Sequence, residues 1–311
     1  MASPPLVTLG DGVAEATVAP DLGGGLASYD LVGAAGRAAL FRPCRDLSRA
    51  GPFDLANNLL VPWSNRISGG GFHFRGRFYR LEPNVDGEPY PIHGSGFSSG
   101  WSVRNASAKK VELSLRSNGP GPFCYEARAT YALDAGALNM WLWVRNVGTV
   151  TLPFGLGFHP WLVRTPGTLL QAKAKRVVLE NSDHLPDGEA PVVSRVEWDF
   201  AAPHALPADW INNAFLGWDG RGWPWLTPLY SRRSREARPA VPRKHKRAGK
   251  ELRLDLAEVE ARAHDAGTSL RRAELIVQPR QQILPRPRPS RASTAAPKIR
   301  AGRAPSRGVT A

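Results

Sequence analysis

The 311-residue sequence has no run of about 18 apolar residues, so no segment of it reads as a membrane-spanning helix. Its opening, MASPPLVTLGDGVAEATV, lacks the basic start and apolar block of a secretory signal. Only two cysteines are present, Cys44 and Cys124, too few for a disulfide framework. A cytoplasmic location is the resulting expectation. There is no strand–helix–strand alternation and no glycine-rich phosphate loop, and the GGG runs at 23–25 and 69–71 read as turns. The most uneven absence is aromatic. All 10 Trp, 11 Phe and 6 Tyr lie at or before Tyr230, and the 81 residues beyond it contain none, where ordinary usage would supply about seven.

Charge is as uneven as aromatic content. Residues 1–220 hold 19 Lys and Arg against 20 Asp and Glu, whereas residues 221–311 hold 22 against 7, so the net charge of +14 belongs to the tail. A single-strand nucleic-acid platform interleaves basic residues with aromatic ones. The tail has no aromatics, so nucleic acid is not the expected partner; the tail offers non-specific phosphate contact at most. Runs such as SRRSREARPAVPRKHKRAGK and LPRPRPSRASTAAPKIRAGRAPSRG cannot bury enough apolar surface to offset the entropy of ordering. The expectation is therefore two regions: a folded domain over 1–225 and a disordered or poorly packed basic tail over 226–311. Within the tail, Glu251–Ile276 has the composition of a charged helix. The abrupt loss of aromatics near Gly220–Trp225, with Arg and Pro rising, is how a GC-rich gene reads after a shift of reading frame.

The first region carries short runs with a period of two, separated by turn signals. Val111–Arg116, Phe123–Leu133, Ala137–Arg145 and Arg176–Glu180 read as strands, and FHFRGRFYRL as a strand pair around Gly76. In ALNMWLWVRN, Leu138, Met140, Leu142 and Val144 share one face, while Asn139, Trp141, Trp143 and Arg145 share the other. Many short strands at this spacing predict an all-β, antiparallel sandwich.

Three segments concentrate chemistry-bearing side chains. Asn57–Trp101 contains Asn65 and Arg66 before a tight turn, and His93 in a long loop. Arg66 suits the paired hydroxyls of a polyol and Asn65 adds an amide donor, while Trp63 and Trp101 offer faces for a sugar to stack on. Arg66 reads equally as a surface arginine, and His93 as a histidine that orders its loop. In Thr151–Thr165, a strand-like run ends in His159-Pro160-Trp161, and the proline biases His159 toward extended backbone. Histidine is the natural proton donor or acceptor near neutrality, although a lone strand-end histidine is more often structural. In Pro207–Gly220, Asn212 and Asn213 suit either hydroxyl binding or a turn. A zinc site is not supported, since His73, His93 and His159 lack ligand spacing and neither cysteine is near a histidine in the chain.

Taken in order, PWSNRISGGGF, PYPIHGSGF, GLGFHPWL and NNAFLGWDG resemble the aldose 1-epimerase (mutarotase) family over residues about 5–222. The resemblance implies a large galactose mutarotase-like β-sandwich with a sugar cleft, and interconversion of the α and β anomers of an aldose by ring opening and closure. It implies no metal or organic cofactor, and a small aldose as partner. Arg66 and His93 would bind hydroxyls, with Asn65, Trp161 and Asn212 lining the substrate, and His159 would act as general acid toward the ring oxygen. Two departures stand out. Asn212 occupies a position where the family commonly has Asp. The C-terminal strand that would supply the general-base glutamate, roughly FxxEP, has no counterpart here, so the base is unassigned. A non-catalytic carbohydrate-binding protein on the same fold is the alternative reading.

Overall fold

The computed structural model describes residues 5–34, 36–208, 211–217, 221–226, 251–257, 262–263 and 270–282. Its strands, in chain order, are β1 (Val7–Gly10), β2 (Ala14–Ala19), β3 (Gly25–Gly33), β4 (Gly36–Ala39), β5 (Asn57–Leu60), β6 (Gly71–Phe74) and β7 (Arg77–Arg80). There follow β8 (Ser102–Ala106), β9 (Lys110–Ser117), β10 (Tyr125–Asp134), β11 (Ala137–Asn146), β12 (Gly157–Pro160), β13 (Leu169–Ala172) and β14 (Arg176–Glu180). The last are β15 (Pro186–Pro191), β16 (His204–Ala205), β17 (Phe215–Leu216), β18 (Arg221–Leu226), β19 (Glu251–Ala257), β20 (Arg262–Ala263) and β21 (Leu270–Gln282). Helix is confined, among the described residues, to short 3-10 turns. None of these is long and apolar enough to cross a membrane.

The strands form two principal antiparallel sheets. One has six strands in the order β1-β2-β3-β5-β12, with β4 on β3. The other has ten, in the order β16-β13-β18-β19-β21-β11-β10-β9-β8, with β20 on β21. Between them lies the larger of two apolar clusters. Leu9, Ala16, Val18, Leu26 and Tyr29 come from the first sheet, and Leu113, Tyr125, Tyr131, Leu138, Met140, Leu142 and Val144 from the second. The alternation in β11 does what the sequence predicts: Leu138, Met140, Leu142 and Val144 have no exposed surface. Their neighbours Asn139, Trp141 and Trp143 are half-buried on the opposite face.

Two tyrosines tie the sheets together at their buried hydroxyls. Tyr29 of the six-stranded sheet donates to the Gly136 carbonyl at the β10–β11 turn (2.6 Å), and Tyr131 of the ten-stranded sheet donates to the Gly24 carbonyl (2.7 Å). Each phenol thus places its ring in the core and still satisfies its polar end, which an apolar interior otherwise penalises. Trp63 and Trp101 are also core residues, 6% and 2% exposed, and Trp101 donates to the Gly96 carbonyl. Neither is a sugar-stacking surface, because the loops that carry them turn inward.

The helix weighed for Glu251–Ile276 does not form. Its described residues are strand, in β19, β20 and β21, and β21 pairs antiparallel with β11 from Leu138↔Val277 to Arg145↔Leu270. The physical reason is that β11 presents an open row of main-chain donors and acceptors, and ladder bonding places little demand on side-chain identity. Residues 227–250, 258–261, 264–269 and 283–311 of the basic tail lie outside the described residues.

Candidate active site

The site is assembled where β5 meets β12. These strands pair antiparallel, with His159 opposite Asn58 and Pro160 opposite Asn57. Every residue of β5 is buried, so the strand is a fixed floor. Because side chains alternate along a strand, His159 and Trp161 emerge on the same side. Their rings lie 5.0 Å apart at 34°. The Arg42 guanidinium lies over the Trp161 ring, 4.3 Å from its centre, and donates to the Phe53 and Leu55 carbonyls.

After β5 the chain passes through Trp63 into the Ser64-Asn65-Arg66 turn, which is laced to the loop carrying His93. The Asn65 amide donates to His93 Nδ1 (3.0 Å), and the His93 amide donates back to the Asn65 carbonyl (3.1 Å). Both residues hold left-handed backbone, φ 65° and 61°, which is uncommon outside glycine. Gly94, at φ 74°, follows directly. A β-carbon there would sit 2.2 Å from the Val61 carbonyl oxygen, so the loop approaches β5 as closely as only glycine permits. Asn84 completes the fastening from the outside. Its amide nitrogen donates to the Ile92 and Gly94 carbonyls (2.8 and 2.6 Å), and its oxygen accepts from the Ile92 amide (2.7 Å).

The outcome is a pair of imidazoles. The His93 and His159 rings lie 5.4 Å apart at 76°, although 66 positions separate them in sequence. His93 accepts at Nδ1 from a backbone amide, so its neutral form carries the proton on Nε2. Burial pushes its pKa down to about 4, with the neighbouring His159 and then Arg66 adding to the effect and Glu88 opposing it. Burial also lowers the His159 pKa, with the Arg42 charge in the same direction, partly offset by a bond to its own backbone. Near neutrality both rings are uncharged.

Arg66 is held in a bidentate ion pair. Its Nε donates to Glu88 Oε2 (2.9 Å) and its Nη2 to Oε1 (2.7 Å), and the arginine side chain is only 13% exposed. It is therefore not a free surface arginine. The same loop is tied to the turn after β14, where Tyr90 donates to Asp183 (3.2 Å).

The structure thus brings His93, His159 and Trp161 together, with Arg66 close enough for its charge to reach His93. Asn65 holds the site through its main chain, and its side-chain oxygen accepts the Arg66 amide (2.8 Å). Asn212 is exposed in the segment before β17, and its side-chain amide donates to Glu180 of β14 (3.2 Å). Sequence reasoning missed Asn84, Glu88 and Arg42. The turn signal PNVDG marks Asn84 only as a loop residue, and nothing local marks Glu88 as the partner of an arginine 22 positions earlier.

The protein is an antiparallel β-sandwich with an imidazole pair and a sheltered guanidinium at the meeting of β5 and β12. The chain belongs to the aldose 1-epimerase family, whose model matches residues 5–242. It is 38% identical over 162 residues to YphB, an uncharacterised Escherichia coli (strain K12) protein, covering 52% of this chain and 55% of that one. It is 32% identical over 114 residues to YihR, also uncharacterised and from the same organism, covering 36% and 37%. The matches thus span about half the length of these curated relatives, or less. Among solved structures, a provisionally assigned aldose 1-epimerase from Escherichia coli K12 superposes with a TM-score of 0.67 at 25% identity, covering 88% of this chain and 87% of that one. A GalM/aldose epimerase homologue from C. elegans shares the fold, with a TM-score of 0.61 at 15% identity, covering 89% and 99%.

Proposed function

We propose that the protein is an aldose 1-epimerase, interconverting the α and β anomers of a small aldose by acid–base ring opening and reclosure. The observation that carries this reading is the His93–His159 pair, 5.4 Å apart and walled by Trp161. Anomer exchange needs a proton delivered to the ring oxygen and one removed from the C1 hydroxyl. His159 is the acid: it sits at a strand end, on a rigid floor, and the proton for the ring oxygen comes from its protonated fraction, which burial and the Arg42 charge keep small near neutrality. His93 is the hydroxyl donor, because its Nε2–H is left free when Nδ1 is tied to the Asn65 amide. Arg66 retains N–H groups beyond the two it gives to Glu88, which suits adjacent hydroxyls. Trp161 supplies an apolar face for sugar C–H groups. The substrate needs no metal or organic cofactor for this chemistry.

The base is the missing member. The acidic residues beyond Gly220 are Glu236, Glu251, Asp255, Glu258, Glu260, Asp265 and Glu274, and none sits in a matching sequence context. We propose that the tail is read out of frame, which would remove the base and leave one of two proton transfers to solvent. That same gap favours the second reading, a sugar-binding protein without turnover.

Polarimetric relaxation of α-glucose and α-galactose separates the two. The chain with its frame restored after residue 220 is expected to relax both sugars fast, and its His159→Ala variant to be slower by about 10²–10⁴-fold. A restored chain no faster than buffer, or one whose rate survives His159→Ala, sinks the epimerase reading.

A further inference from the structure

The Arg66–Glu88 pair carries information about which sugars the cleft accepts, and this inference rests on the epimerase reading above. An arginine at a sugar site has two possible uses. As a free cation it captures anions, and phosphate or carboxylate oxygens match its fork best. As one half of an ion pair it has no net charge to offer, and its remaining N–H groups serve neutral acceptors.

Here the second arrangement is built in. Both Glu88 oxygens are engaged, at 2.9 and 2.7 Å, on the same edge of the guanidinium. The pair is sheltered, with the side chains 13% and 28% exposed, so solvent screening is incomplete. The loop holding Glu88 is fixed at several points: the Glu88 amide bonds the Val85 carbonyl, Tyr90 bonds Asp183, and Asn84 clasps Ile92 and Gly94. Glu88 is therefore held in place against Arg66. The other guanidinium near the histidines, Arg42, lies over Trp161 and donates to two main-chain carbonyls. Arg42 thus keeps its charge but gives its Nη2 to the main chain, and Arg66 is the one of the two that a carboxylate neutralises.

We propose that Glu88 is a specificity-determining residue. By pairing with Arg66 it turns the fork into a neutral hydroxyl clamp, so that the cleft takes uncharged aldoses and turns away sugar phosphates and sugar acids. An incoming anion gains the Arg66 fork only by displacing Glu88, or it meets the Glu88 carboxylate across the guanidinium.

Binding tests this in the full chain without requiring turnover. Dissociation constants for galactose, glucose, glucose 6-phosphate and glucuronate are measured by ligand-observed NMR on the wild type, Glu88→Gln and Glu88→Asp, each checked for an unchanged thermal transition. The wild type is expected to prefer neutral sugars over both anions by about tenfold or more. Glu88→Gln keeps the shape but not the charge. It should shift the preference toward the anions by about tenfold, with anion binding that weakens as salt rises. Glu88→Asp keeps the charge and should keep the neutral preference. A charge preference unchanged in Glu88→Gln overturns the role of Glu88 while leaving the epimerase reading intact. A wild type that binds no aldose overturns the epimerase reading, and this inference with it.

Discussion

The two sheets of the sandwich solve opposite problems. The ten-stranded sheet, at β10 and β11, alternates strictly, with Leu138, Met140, Leu142 and Val144 buried to zero exposure while their neighbours stay half-open. Its job is to provide apolar area, and period two is sufficient for that. The six-stranded sheet, at β5, buries four residues in succession, two of them asparagines, and then sends the chain into left-handed turns at Asn65 and His93. Its job is to hold polar groups in positions that no repeat describes. Both sheets supply apolar core, the ten-stranded one by strict alternation, while the imidazole pair is placed by the loops fastened to the six-stranded one.

Perturbing each side separately tests that division. The largest expected effect is on the ten-stranded side. Leu142→Ala removes a side chain with no exposed surface and should cost about 2–5 kcal/mol of unfolding free energy. Sugar affinity of the fraction that remains folded should stay within about twofold of the wild type. Denaturant unfolding and binding on the same samples give both values. A large loss of affinity in the folded fraction would mean that the two sheets are not separable in this way.

The next effect is electrostatic and belongs to the site. The pKa of His93 is lowered from 6.5 to about 4, and that of His159 is lowered as well. Between these values the unfolded chain binds a proton that the folded chain refuses, so stability should fall as pH drops below about 6.5 and should be flat above it. For His93 alone the loss approaches about 3 kcal/mol by pH 4. Urea titrations at stepped pH should show this slope, and His93→Gln should reduce it. A stability that rises on acidification through that window would refute the buried, neutral imidazole.

The smallest effect isolates the fastening of the loop. Asn84→Ala deletes three bonds to the main chain around His93 and leaves the Ile92 and Gly94 groups to find water. The expected cost is about 1–3 kcal/mol. Unlike Leu142→Ala, it should weaken sugar binding measurably in the folded protein, because the backbone around His93 loses its outer clasp. Calorimetric binding alongside thermal melts distinguishes the two. A variant that loses stability but binds sugar like the wild type would place Asn84 outside the site.

Much of the sandwich was legible. The runs at 111–116, 123–133, 137–145 and 176–180 correspond to β9, β10, β11 and β14 with shifts of at most two residues at either end. The hairpin around Gly76 became β6 and β7. These elements were readable because their periodicity is local. Trp63 and Trp101 were misread as sugar-stacking surfaces because an aromatic in a loop carries no local mark of the direction it faces. The Glu251–Ile276 stretch has a charged, leucine-bearing composition that suits helix or strand, and for its described residues the edge of β11, more than 100 residues earlier, decides for strand. Of the site, His93, His159 and Arg66 were nameable through their motifs, but their mutual placement was not.

The sequence by itself determined the class of fold, the inward face of β11, the break in composition near residue 225, and a candidate acid without a recognisable base. Those are consequences of residue type and short-range period. Only the tertiary structure decided that His93 and His159 face each other at 5.4 Å, that their burial keeps both uncharged near neutrality, and that Arg66 is paired with Glu88 rather than free. Proton affinity and charge pairing depend on distance and desolvation, and both are set by which strands and loops fold against one another, not by neighbours along the chain.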